Sequence, residues 1–223
     1  MRTAPAALGP PTRASVESAA RELLHSGSWT KADIFLFAVP GSPIVVKDFS
    51  RKVAFIRLLG RLQIARECRA YEAIQGLDGV PRWLGRVDAH ALALERLDGS
   101  LLQQHRKTER RHGLLAEMRT ILDAIHERGV IHNDLRGKDN AFVRSDGRLV
   151  LLDFAGAFRF QPGSFWHRLL FERLVRVDEA AYLKWKTILA PEDLTPEEAR
   201  FLRRFARFRR LWVFNPKGAL RQS

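Results

Sequence analysis

Apolar and polar positions alternate between two rhythms along this chain, and the order in which the rhythms change predicts its elements. Residues 1–14 carry no periodicity and read as a flexible leader. Ser15 opens a short helical stretch to about residue 24, with Glu17 in its first turn. Ile34-Phe35-Leu36-Phe37 and the β-branched Ile44-Val45-Val46-Lys47 are two strand-like runs, and Pro40-Gly41-Ser42-Pro43 between them is a turn, so a hairpin is expected. Over residues 53–74 the rhythm becomes helical, with Leu58, Leu62, Ala65, Ala70 and Ile74 near one face. Gly76 and Gly79-Val80-Pro81 end that helix, and strands follow over 83–87 and Ala91–Glu95 before a break at Asp98-Gly99. Helices are predicted over 101–104 and 110–128, with Gly129 as the stop. Ala141–Arg144 and residues 149–152 are strand-like runs joined by Ser145-Asp146-Gly147-Arg148, whose Asp-Gly signals a second hairpin. The remainder is helical and basic.

A strand-rich half with one helix therefore precedes a helix-rich half with one small hairpin. The expected fold class is α+β in two lobes, with a ligand cleft between them. The expected divisions are a leader and short helix over 1–25, a first lobe over 26–97 and a second over 98–223.

Composition narrows this picture. Apolar residues make up 46% of the chain, enough for a real core. Charges interrupt each apolar run well short of the roughly 18 residues a membrane span needs, and no apolar signal segment stands near the start. The lone Cys68 excludes an internal disulfide and a cysteine-based zinc site, and fits a reducing, cytoplasmic setting. The net charge of +13, carried mostly by arginine, fits either an anionic partner (nucleic acid, anionic lipid or a phosphorylated substrate) or an ordinary solvated surface with arginine in place of lysine. No nucleic-acid reading motif accompanies it, so nucleic acid ranks last.

The chemistry concentrates in His132-Asn133-Asp134-Leu135-Arg136-Gly137-Lys138-Asp139-Asn140, a polar loop between a helix end and a strand, and in Leu152-Asp153-Phe154-Ala155-Gly156 after the next strand. Two acids and an amide are thus presented on loops braced by one hairpin. Phosphoryl transfer needs such a set, with one carboxylate to orient the attacking hydroxyl and further oxygen ligands to hold metal ions.

These two segments resemble the catalytic loop and metal-binding motif of the protein-kinase-like superfamily, and more narrowly the small bacterial kinases related to RIO and Kdo (lipopolysaccharide) kinases. The resemblance covers roughly residues 30–160. It implies a strand-rich N-lobe with a minimal helical C-lobe, ATP and Mg²⁺ or Mn²⁺ as cofactors, and transfer of the γ-phosphoryl group to a hydroxyl on protein Ser/Thr or on a lipid-linked sugar. By that resemblance Asp134 is the catalytic base, Asn140 and Asp153 hold the metal, and Lys47 contacts the nucleotide phosphates with Glu67 as its partner. Leu94-Glu95-Arg96-Leu97 resembles the hinge, where backbone groups of Glu95 and Leu97 would meet the adenine edge. His132 is expected to brace the loop.

Three departures are visible. The related motif H-R-D-x-x-x-x-N puts its Asn where Asp139 stands here. Asn140 lies one position further on, so either a residue is inserted or Asp139 supplies the ligand. The metal motif reads Asp-Phe-Ala. No G-x-G-x-x-G precedes Lys47, only Val39-Pro40-Gly41-Ser42. The loss of the glycine motif and the shifted Asn keep open an alternative, a pseudokinase scaffold that binds nucleotide or a partner without turnover.

Residues 195–214 predict an amphipathic helix. Thr195-Pro196-Glu197-Glu198 forms a capping box, Phe201, Leu202, Phe205, Phe208 and Trp212 mark an apolar face, and arginines supply the rest. Docking on its own domain is the favoured expectation. The other is an anionic membrane surface, peripheral at the inner face, near a lipid-linked substrate.

Overall fold

A computed structural model describes residues 11–18, 20–27, 29, 31–38 and 43–210. The fold is mixed α+β, as expected. A short helix α1 (Arg13–Glu17) leads into an antiparallel sheet of β1 (Ala20–His25), β2 (Asp33–Ala38), β3 (Ile44–Asp48), β4 (Trp83–Arg86) and β5 (Ala91–Glu95), in the order β1-β2-β3-β5-β4. The long helix α2 (Ala54–Ile74) crosses from β3 to β4.

The period of two along β3 divides its side chains between the faces of the sheet. Val46 is fully buried with Phe35, Phe37, Ala91 and Ala93 in a small core that Val16 of α1 closes. Arg13 locks this helix down, pairing with Asp48 and Asp88 at 2.6 Å each. Lys47 sits opposite Leu92 in the ladder, so both point to the other face, where Leu92 and Leu94 join the main core with Ile64, Cys68 and Tyr71 of α2.

The second half of the chain is built on α3 (Arg111–Glu127), which buries Leu114, Met118, Ile121, Leu122 and Ile125. Gly129 ends it in the left-handed region, at φ 72°. A short β7 (Val130–Ile131) leads into the polar loop and pairs with β10 (Phe158–Arg159). The hairpin of β8 (Ala141–Arg144) and β9 (Leu149–Leu151) adds β6 (Gly99–Leu101) along its outer edge. Helix α4 (Glu172–Leu189) packs on α3, and α5 (Pro196–Arg210) packs on α4. None of the described helices is long and apolar enough to cross a membrane.

Two expectations change. The segment read as helix to about residue 24 turns at Ser18 and becomes β1, paired from Ala20↔Ala38 to His25↔Ile34. A free sheet edge supplied by β2 outweighs the weak helical preference of this stretch, because strand propensity depends on the neighbour available. The face expected for α2 holds only toward its end: Ala70 and Ile74 are buried, with Ile56, Gly60, Ile64, Glu67 and Tyr71, whereas Leu58 and Leu62 are 56% and 67% exposed. Gly60 is needed on the inner face, because a Cβ there would stand 2.4 Å from the Phe49 ring. The turn residues 39–42 and Trp212 lie outside the described residues.

Gly129 provides a test of how tightly the polar loop is anchored. Its positive φ coincides with a close approach, since an added Cβ would lie 2.2 Å from the Phe160 carbonyl oxygen. Gly76 has a similar φ of 80° in open space. Gly76→Ala should cost only about 1 kcal/mol, the ordinary left-handed penalty. Gly129→Ala should cost roughly 1–3 kcal/mol more, because backbone must move. Denaturant unfolding of both variants measures the difference, and equal losses would show that the approach to Phe160 is soft.

Candidate functional site

The site is assembled where β3, α2 and the two polar segments meet. Lys47, the penultimate residue of β3, projects toward α2, and its Nζ lies 2.6 Å from Glu67 Oε1 and 2.8 Å from Asp153 Oδ1. Glu67 is fully buried, and the Lys47 side chain is 13% exposed. One ammonium therefore joins a helix, a strand and the turn after β9. Burial opposes the Lys47 charge, but Glu67 and Asp153 outweigh it and hold the ammonium above its ordinary value. Burial also pushes Asp153 upward, and Lys47 more than reverses that, bringing its pKa down to about 2. For Glu67 burial prevails, raising its pKa against the pull of Lys47.

Asp153 has left-handed backbone, at φ 64°, as does Asn133. Short polar residues tolerate this region best, and outliers of this kind gather at functional sites. The Asp153 conformation turns the chain into a 3₁₀ turn at Phe154–Gly156, and its Oδ1 also accepts from Ala155 N at 3.3 Å. Both protein bonds fall on Oδ1, which leaves Oδ2 without a donor among the described residues. The side chain is 43% exposed, so this oxygen is accessible.

The polar loop is stitched to this turn. His132 is fully buried, its Nε2 lies 2.9 Å from the Leu152 carbonyl and its ring lies against Phe154 at 4.6 Å. A carbonyl can only accept, so Nε2 donates, and Nδ1 then faces the Asp134 N–H at 3.4 Å. Asn133 Nδ2 donates to the Gly156 carbonyl at 3.1 Å. A Cβ on Gly156 would lie 3.3 Å from that of Asp134, so the turn packs directly against the Asp134 side chain. Asn140 is buried immediately before β8, and its Nδ2 donates to the Asp134 carbonyl at 2.7 Å. The amide nitrogen being committed, its oxygen is what Asn140 can offer a cation. Asp139 is exposed. The Leu152 N–H donates to the Asn140 carbonyl at 2.9 Å, setting Asn140 and Asp153 at neighbouring ends of one hairpin.

The structure joins Lys47 to Glu67 and Asp153, and Asn140 to Asp134, which are five of the seven residues picked out in the sequence. Glu95 ends β5, its side chain accepting from Arg82 N at 2.9 Å, and Leu97 lies in the segment between β5 and β6.

Sequence reasoning passed over Asp178. This residue of α4 is fully buried and accepts from the backbone N–H groups of His132 and Asn133, both at 2.7 Å. The His126 ring nitrogen meets the same carboxylate at 2.9 Å. Trp185 and Lys184 of α4 add bonds to the Leu135 and Arg136 carbonyls at 3.0 and 2.6 Å. The signal was present as a lone acid in register with Phe171, Leu174, Ala181 and Trp185 on an apolar stripe. An acid on a buried stripe requires donors, and a loop of free N–H groups supplies them.

No model of a known protein family matches the chain, and no curated protein matches it.

The coupling of Lys47 to Glu67 has a pH signature. Lys47→Met leaves a buried carboxylate whose pKa burial already raises. A group with a raised folded pKa contributes most below its unfolded value and loses that contribution as pH rises through the folded one. Lys47→Met should therefore be destabilised by roughly 3–5 kcal/mol at pH 8 and recover part of the loss near pH 5. Adding Glu67→Gln should abolish the recovery. Urea unfolding across this range measures it, and a pH-independent deficit would mean that Glu67 is not desolvated.

Proposed function

We propose that this chain is an ATP- and divalent-metal-dependent phosphotransferase of the protein-kinase-like superfamily, related to the small RIO-like and Kdo kinases. In this reading segment 26–97 is a nucleotide-binding N-lobe, its sheet extended by β1 (Ala20–His25) from the stretch expected as leader and short helix, and 98–223 is a minimal helical C-lobe. The observation that carries it is Lys47 bridging Glu67 and Asp153 beside a loop that holds Asp134 and Asn140.

The donor set fits a hard divalent cation. Asp153 is ionised, accessible and has an oxygen to spare, and Asn140 keeps an amide oxygen. Bound there, Mg²⁺ or Mn²⁺ would neutralise charge on the nucleotide phosphates. Lys47 has three donors, two directed at carboxylates, and the third serves a phosphate oxygen. Glu67 fixes the direction of that ammonium, and Glu95 and Leu97 offer backbone groups to the adenine edge. Asp134, braced by His132 and Asn140, accepts the proton of the attacking hydroxyl. Between the two registers, burial of Asn140 and exposure of Asp139 support the insertion, with Asn140 as ligand.

The acceptor is a hydroxyl of protein Ser/Thr or of a lipid-linked sugar, and the setting is cytoplasmic, peripheral to the inner membrane face where α5 presents Arg200, Arg203, Arg204 and Arg207 to solvent. The same helix also packs on α4 through its first turns, with Lys186 bonded to Glu198 at 2.8 Å and Phe201, Leu202 and Phe205 half-buried. The second reading, a scaffold without turnover, draws on the missing glycine motif before Lys47.

ATP turnover with Mg²⁺ or Mn²⁺, with and without acceptors, decides between the two. Asp134→Asn should lower transfer by roughly 10²–10⁴-fold while ATP affinity stays within a few-fold, because the base acts on the acceptor. Near-normal turnover would remove Asp134 from the chemistry. Asn140→Ala should cut turnover strongly and Asp139→Ala should do little. The reverse result would restore the standard spacing with an acid in place of the amide.

A further inference from the structure

A cavity of about 620 Å³ borders the polar loop, lined by Gln103, Gln104, Arg106, Lys107, Lys138 and Ile188. Gln103 and Gln104 belong to the 3₁₀ turn Leu102–His105, and Arg106 and Lys107 follow it. Lys138 lies in the same loop as Asp134, and Ile188 sits near the end of α4.

The charges in this cavity differ from those around it. Arg110 pairs with Glu117 at 3.2 Å, Arg111 with Glu192 at 2.8 Å, Arg144 with Asp146 at 3.5 Å and Lys186 with Glu198 at 2.8 Å. Arg106, Lys107 and Lys138 form no ion pair among the described residues, and neither Glu109 nor Asp139, their neighbours in sequence, reaches them. Three uncompensated cations in one concavity focus a positive potential, which favours a compact polyanion over scattered counter-ions. Arg106 can grip two oxygens of such a group at once, and the lysines act as point charges. The two glutamine amides add donors and acceptors suited to hydroxyl groups.

We infer that this cleft binds a phosphate group carried by the acceptor, which is then a phosphorylated, hydroxyl-rich molecule. Binding of phosphate in the cleft stands on the charges alone, whereas its assignment to the acceptor rests on the phosphotransferase reading. The link is Lys138. A phosphate held by it belongs to whatever molecule reaches the loop that carries Asp134.

The test titrates the full chain with inorganic phosphate and with glucose 6-phosphate, by calorimetry, without nucleotide or metal. The triple variant R106Q/K107Q/K138Q should bind both about tenfold more weakly or worse. R203Q/R204Q/R207Q, which removes the same charge from the exposed face of α5, should change affinity less than twofold. Equal losses in the two variants would reduce the effect to net charge and overturn the site. Glucose 6-phosphate should bind severalfold more tightly than phosphate, and equal affinities would overturn the assignment to an acceptor. Binding confined to phosphatidylglycerol vesicles, with neither soluble probe bound, would overturn both in favour of a lipid surface. ATP binding by the wild-type chain is measured separately, so a failure of the phosphotransferase reading and a failure of the cleft give different results.

Discussion

The site depends on one buried ammonium that has two carboxylates to satisfy. Lys47 is placed by the register of β3, Glu67 by the inner face of α2, and Asp153 by the turn after β9. Withdrawing Lys47 would leave Glu67 unpaired where it is fully buried, and breaking such a pair costs about 3–5 kcal/mol. This is a geometric constraint as much as an energetic one. It draws the sheet, the long helix and the turn Phe154–Gly156 to a common point, and the rest of the core packs around that meeting.

The polar loop is held by different means. It contains no regular secondary structure over residues 132–140, and side chains hold several of its backbone groups. Asp178 takes two N–H groups, Trp185 and Lys184 supply donors to two carbonyls, and Asn140 closes the loop on the Asp134 carbonyl. Buried helix α4 thus acts as a template for a segment that has no period of its own. The Asp134 side chain inherits its position from that template and from Gly156, whose missing Cβ lets the turn Phe154–Gly156 lie against it.

Much of this was legible in the sequence. The hairpin around 34–47, the helix ending at Ile74, the stop at Gly129 and the hairpin after Asn140 all carry strong local signals, and the structure follows them. The placement of Asp134, Asn140 and Asp153 on loops between apolar elements was legible, because acids and amides there interrupt the apolar runs. Three things were not. The strand Ala20–His25 forms because β2 offers an edge, and a partner distant in sequence leaves no local mark. The inner face of α2 carries a glycine, a glutamate and a tyrosine among its contacts, so counting leucines selected the solvent side. Asp178 serves a loop more than forty residues away, and its role lies in donors that the sequence does not place.

Because the loop has no hydrogen-bond ladder of its own, its rigidity is borrowed, and borrowed rigidity can be withdrawn locally. Asp178 accepts from His126 at the end of α3 as well as from the loop, so a single carboxylate spans two helices and the site. A slippage of α4 along α3 by one residue would move this acceptor by about 1.5 Å, half the length of a hydrogen bond, while leaving both helices intact. Loss of the competent loop can therefore precede loss of the fold. The scaffold thus carries a failure mode in which both helices persist while the loop between them and the sheet is lost.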